Sequence, residues 1–272
     1  MSVLETAPAA VPSLLYSPRP WLIGVLHLPA LPGSPAAVLP VADIAQRTAA
    51  EARVLEDSGF TAVLIENFHD VPFRRQAVDP ETIASMAVVA AAVREAVSCP
   101  LGVNVLRNDA RAALAIAATC GGSFVRVNVL AGAAVTDQGL VQGVADDLLR
   151  VRAALRAGHV AVLADVDVKH ATSLDRRPIG ERAADLVARS GADAVLVTGP
   201  ATGVGVDLDE LARVRDAVAP VPVLAASGTD ATTLPAILAH CDGTLVATAL
   251  RDPSTGRLSR ERAAAYVESR SP

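Results

Sequence analysis

The chain has 272 residues, 51% of them hydrophobic and 19% charged, with a formal net charge of −5. That composition belongs to a densely buried globular protein, is long enough for one α/β barrel, and excludes a disordered chain. Aromatics are only 3% and no basic run occurs, so neither a base-stacking platform nor a polyanion groove, and hence no nucleic-acid partner, is expected.

Cys99, Cys120 and Cys241 lie far apart and match no zinc spacing, which suits small packing residues in a reducing, cytoplasmic setting. Met1 to Pro20 lacks a basic start and a long apolar core, so it does not read as a secretion signal. The longest uncharged helical run, Ile83 to Val93, stops at Arg94 and is too short to span a bilayer. A soluble protein is expected, with peripheral membrane association left open.

Residues 1–20 carry Pro8, Pro12, Pro18 and Pro20 and are expected to form an N-terminal arm, with residues 21–272 as a single barrel domain. Trp21 to His27 reads as the first strand, followed by the stiff loop Leu28 to Pro35. Asp43 is placed to cap a helix that reaches Ser58 and ends at Gly59. Phe60 to Asn67 is the second strand, with Ala62, Leu64 and Glu66 on one face. Asp79-Pro80 opens a helix to about Ser98. Leu101 to Val105 is the third strand, placing Gly102 and Asn104 together, and Asp109 caps the helix that follows. Ser123 to Asn128 is the fourth, bringing Phe124, Arg126 and Asn128 to one side. A loop from Leu130 to Gln138 leads to a helix expected over Gly139 to Ala157.

Val160 to His170 is expected as the fifth strand. Ala161, Leu163, Asp165, Asp167 and Lys169 then share a face that turns from apolar to charged, while the opposite face is apolar throughout. A helix over about Ile179 to Ser190 precedes the sixth strand, Ala192 to Thr198. The glycine-rich run Gly199 to Gly205 is either a lid or a permissive connection. Asp207 caps the next helix, Val221 to Ser227 is the seventh strand, and Gly243 to Thr248 the eighth, with Ser259 opening the last helix. Eight such units without a linker, ending in polar groups, predict a (β/α)₈ TIM barrel over a doubly wound open sheet.

Closing the strands would gather their exits at one mouth. It would hold His27, Glu66, Asn67, Asn104, Arg107, Arg126, Asn128, Asp165, Asp167, Lys169, His170, Thr198, Ser227 and Thr248. Charges are costly to bury, so a barrel built only for stability would place aliphatics there. Lys169 among apolar walls could act as a base or Schiff-base nucleophile; Asp165 and Asp167 beside it could instead keep it protonated, or pair with it structurally. Glu66 and Asp165 could form an acid/base pair or share a divalent ion, for which Mg²⁺ would be the oxygen-preferring choice, although no metal spacing is strong. Arg126 could hold a substrate anion or pair with a mouth carboxylate. Ser227 and Gly228 suit a phosphate site at the seventh exit, while Ala247 makes the Thr248 exit less open.

These residues resemble the BtpA/SgcQ family. The resemblance rests on His27-Leu28-Pro29-Ala30-Leu31-Pro32-Gly33-Ser34-Pro35, Glu66-Asn67 with Asp70-Val71-Pro72-Phe73, and Gly102-Val103-Asn104-Val105-Leu106-Arg107-Asn108-Asp109. Arg126-Val127-Asn128, Ala164-Asp165-Val166, Val168-Lys169-His170, and Thr198-Gly199 with Thr202-Gly203 complete it. It implies a phosphate-binding type of TIM barrel. One branch of that family is associated with photosystem I biogenesis or stability, and other members with sugar or nucleoside metabolism. Two departures are Ala247, where the family commonly has glycine, and Arg251, where it commonly has lysine.

The expectation that follows is a barrel binding or converting a small phosphorylated metabolite by lyase, aldolase or isomerase chemistry. Asp165, Lys169 and Glu66 would be catalytic. His27, Asn104, Arg126, Asn128 and Thr198 would bind substrate, and Ser227, Gly228 and Thr248 phosphate. A non-catalytic assembly factor for photosystem I is the alternative, and a homo-oligomer is expected in either case.

Overall fold

The computed structural model describes residues 14–199 and 205–270. The strands and helices alternate in chain order. They run β1 (Trp21–His27), α1 (Val41–Asp57), β2 (Ala62–Glu66), α2 (Pro80–Ala96), β3 (Leu101–Asn104), α3 (Ala110–Thr119) and β4 (Phe124–Val127). A hairpin of β5 (Ala133–Thr136) and β6 (Gly139–Gln142) precedes α4 (Ala145–Ala154) and β7 (Ala161–Asp165). Then follow β8 (Ala171–Ser173), α5 (Ile179–Ala188), β9 (Ala194–Val197), α6 (Leu208–Val218) and β10 (Val223–Ala225). The chain ends in α7 (Leu234–Leu238), β11 (Gly243–Val246) and α8 (Arg260–Glu268).

Eight of these strands close into a parallel barrel in the order β1-β11-β10-β9-β7-β4-β3-β2. The seam pairs Trp21 with Gly243 and His27 with Glu66 on the two sides of β1. Alternation does what the sequence predicts. Ile23, Leu64, Phe124, Leu163, Leu196 and Leu245 point inward as one cluster, whereas Val63, Val125 and Val162 pack outward against the helices. Leu14, fully buried, joins the inner cluster from the end where the strands begin. Trp21 is fixed there by its Nε1, which donates to the Ser17 carbonyl at 3.0 Å.

Several expected boundaries move. The fifth barrel strand ends at Asp165 rather than His170, because the chain leaves the wall there and returns as β8 to pair antiparallel with β5. The helix expected from Gly139 starts at Ala145. Gly139, at φ +93°, turns a hairpin instead, and Val141 is buried with Val129, Ala134 and Val168. Asp43 lies inside the first turn of α1 instead of capping it, whereas Asp79-Pro80 does open α2, the Asp79 carboxylate accepting from Arg74 at 2.8 Å. Asp109, Asp207 and Ser259 do cap their helices through side-chain oxygens. Most of the expected N-terminal arm and of the Gly199 to Gly205 run lies outside the described residues. Among the described residues, no helix is long and apolar enough to cross a membrane.

Candidate functional site at the barrel mouth

The inward row of each strand changes from aliphatic to charged as it approaches the C-terminal end. On β2 the row is Ala62, Leu64, Glu66; on β4 it is Phe124 and Arg126; on β7 it is Ala161, Leu163, Asp165. The three ends meet. Arg126 donates through Nε and Nη2 to the two carboxylate oxygens of Asp165 at 3.2 and 3.0 Å, and its Nη1 stands 3.8 Å from Glu66 Oε2. Asn128 donates to Asp165 at 2.7 Å and Asn104 to Glu66 at 2.6 Å. His27 Nε2 lies 3.6 Å from Glu66 Oε1, with its ring stacked on Phe68 at 3.9 Å between centroids.

Burial decides the protonation of this floor. Removal from water pushes the His27 imidazole down to about 4, against the pull of Glu66, so His27 is neutral at neutral pH. Burial also favours the neutral acid of Glu66, but His27, Arg126, Lys169 and the Asn104 amide together outweigh it and hold the carboxyl below its ordinary value. Burial lowers the Lys169 ammonium, reinforced by Arg126 and Arg107 and opposed by Glu66 and Asp165.

Two cavities open above the floor. One, of about 190 Å³, runs from Glu66, Arg126 and Lys169 to the exits of β10 and β11, where Ser227, Gly228, Thr229, Ala247 and Thr248 line it. Gly228 has φ +63°, a turn that a side chain would strain. Asp230 also borders this lobe, but its Oδ1 is taken up by the Thr232 and Thr233 amides at 2.8 and 2.9 Å. The other cavity, of about 360 Å³, is apolar on one side through Phe68, Val71, Phe73 and Leu106, and shares Glu66, Arg126 and Lys169 with the first. The mouth is therefore one cleft of two lobes, divided by three charged side chains.

Glu66, Lys169, His27, Arg126, Ser227, Gly228 and Thr248 all line the first lobe, and Asn128 the second. Four expectations change. Asp165 lines neither lobe, because Arg126 and Asn128 hold it beneath the floor. Asn104 is buried, lines neither lobe, and donates to the Glu66 carboxylate. Thr198 donates to the Asp167 carbonyl at 2.6 Å and lines a separate surface cleft. Asp167 turns outward to an ion pair with Arg182 on α5, since β7 has ended before it. The guanidinium of Arg126 stands between Glu66 and Asp165 where a shared divalent ion would sit. No group of three or more His, Cys, Asp or Glu among the described residues is arranged to hold a metal.

The apolar lobe was not assigned from sequence. Phe68, Val71 and Phe73 follow Glu66 closely in the chain, but a loop has no periodicity to say which side chains turn inward. Lys169 is likewise off the strand. Its segment is pinned by Val168, buried beneath the hairpin, and by Arg107, which donates to the Lys169 carbonyl at 2.8 Å.

Fold and mouth together define a parallel (β/α)₈ barrel with a polar, strand-end cleft. The chain belongs to the BtpA family, whose model matches residues 19–270. An uncharacterised protein of Thermococcus kodakarensis is 45% identical over 249 residues, covering 91% of this chain and 94% of its own. The photosystem I biogenesis protein BtpA of Synechocystis sp. is 39% identical over 230 residues, covering 85% of this chain and 80% of its own. Among solved structures, N-(5'-phosphoribosyl)anthranilate isomerase from Pyrococcus furiosus superposes with a TM-score of 0.56 at 12% identity, over 92% of this chain and 98% of that one, which is a likeness of fold.

Proposed function

We propose that this barrel binds and converts a small phosphorylated metabolite. The phosphate would sit in the lobe beneath Ser227, Gly228 and Thr248, and the reacting carbon above Glu66 and Lys169. The observation that carries this reading is the shared floor: Glu66, Arg126 and Lys169 line both lobes, so an anion at the β10 and β11 exits brings the rest of a ligand onto the charged groups. Glu66, held ionised and aimed by Asn104, is the group suited to take a proton. Asp165 serves as a positioning residue that keeps Arg126 fixed. The phosphate end takes its affinity from backbone and hydroxyl donors, since no arginine of the described residues lines that end beyond Arg126.

A thermal-shift series of phosphosugars and nucleotides tests it. Ligand at about a hundred times its Kd should stabilise the protein by about 2.7 kcal/mol. The dephosphorylated partner of each hit should lose the shift, and Thr248→Glu should abolish it by repulsion. Equal shifts with and without the phosphate group would defeat the reading. A second reading, a non-catalytic assembly factor, is favoured by the name of the Synechocystis relative, a photosystem I biogenesis protein. It predicts no small-molecule shift at all.

A further inference from the structure

Lys169 is the sole lysine of the 272-residue chain; the other 23 of the 24 basic side chains counted as Lys or Arg are arginine. Wherever this protein needs a fixed positive charge it uses guanidinium. An arginine at position 169 would supply charge equally well, but it cannot shed its proton or attack a carbon. The one amine side chain stands on the floor shared by both lobes. Among the ion pairs and hydrogen bonds of the described residues, its Nζ takes part in none; Arg126, not Lys169, answers Glu66 and Asp165. Burial and the Arg126 and Arg107 guanidiniums favour the neutral form of Lys169, against the pull of Glu66 and Asp165. Its backbone is held from three sides, by Arg107, by Val168 under the hairpin, and by the β5–β8 pairing that begins two residues later.

We propose that Lys169 forms an imine with a carbonyl-bearing ligand, so that the substrate class of this barrel is a phosphorylated aldehyde or ketone. This rests on the phosphate reading above and adds the reacting group to it. The neutral amine attacks the carbonyl carbon, a C–N bond forms, and the C=O π pair moves to oxygen. Glu66, lining the same lobes, takes a proton from nitrogen and delivers it to that oxygen. A second proton from solvent lets the oxygen leave as water, and the nitrogen lone pair completes C=N⁺. No oxidant or reductant is consumed. The iminium carries its positive charge beside Glu66 and draws electrons from the adjacent carbon.

The full chain is incubated with pyridoxal 5'-phosphate, a phosphorylated aldehyde, and with pyridoxal, then reduced with borohydride and mapped by peptide mass. Free Nα-acetyllysine, the wild type and Lys169→Arg are run side by side at neutral pH. The expected result is one label per chain at Lys169, at least tenfold faster than on free Nα-acetyllysine, absent in Lys169→Arg and slowed by inorganic phosphate. Labelling at the N-terminal amine only, or at Lys169 no faster than on the free amino acid, overturns the imine. The two readings separate. Equal labelling by pyridoxal and its phosphate, unaffected by inorganic phosphate, keeps the imine and removes the phosphate site. A thermal shift with pyridoxal 5'-phosphate but no fast label keeps the phosphate site and removes the imine. Should Lys169→Arg fail to fold, the wild-type map and rate decide alone.

Discussion

Arg126 and Asp165 form a pair with side chains 3% and 0% exposed, tied by two hydrogen bonds. Removing one partner of such a pair leaves the other charged and dry, which costs about 3–5 kcal/mol. Asp165→Asn should therefore lower the denaturation midpoint strongly, while Arg126→Met combined with Asp165→Leu should lose less than the single change. If Asp165→Asn melted like the wild type but lost ligand response, Asp165 would be a ligand group after all. His27 gives a pH signature. Its folded pKa is about 4 against an ordinary 6.5, so the unfolded chain binds a proton first as pH falls. The stability from His27 is complete above pH 6.5 and drains away on acidification towards 4. The full difference is about 3 kcal/mol, from about 2.5 units at 1.36 kcal/mol each. His27→Gln should flatten the stability slope between pH 6.5 and 5, read by chemical denaturation at each pH. That these residues face inward was legible in period-two alternation, and a pair of Arg126 with a mouth carboxylate was one of two open readings; that the carboxylate would be Asp165 was not legible. Spacing along a strand says which face a side chain takes and nothing about what the next strand places opposite.

β1 and β11 close the barrel across Gly243, and a Cβ there would come within 2.3 Å of the Trp21 carbonyl oxygen. Backbone on both sides of a ladder cannot yield, so Gly243→Ala should destabilise by about 3 kcal/mol or more. Gly102 on β3 is the contrast. Its added Cβ would meet the Phe124 ring at 2.2 Å, a side chain that can be replaced. Gly102→Ala should cost about 1–3 kcal/mol and be partly rescued by Phe124→Leu, whereas no second-site change on a side chain should rescue Gly243→Ala. Thermal melts of the four variants test both statements. The strands and most helices were readable from apolar periodicity and caps, because each buries one face against the next layer. The β5–β6–β8 sheet was not. Its strands are three or four residues long, and the pairing of β5 with β8 joins segments that are distant in sequence. The alternation through Asp167 and Lys169 continued past the true end of β7 for the same reason: a charged residue looks the same whether the wall continues or the chain departs.

Leu14 connects the chain's beginning to the whole barrel. It is fully buried among Trp21, Ile23 and Phe124 at the end opposite the cleft. Leu14→Ala should cost about 2–5 kcal/mol as a core truncation while leaving the affinity of any mouth ligand unchanged, a split that melting and titration read separately. Loss of ligand affinity in that variant would mean that the two ends are coupled. The plug has a further consequence, one of traffic. Among the described residues Leu14 and the inward aliphatics fill the lower barrel, so the cleft is entered and left on the strand-exit side. Ordinarily that would make the first fragment of a cleaved ligand wait behind the second. Here the cleft divides at Glu66, Arg126 and Lys169 into two lobes. Two fragments of a ligand that spans both should each compete only with the part of it that occupies the same lobe.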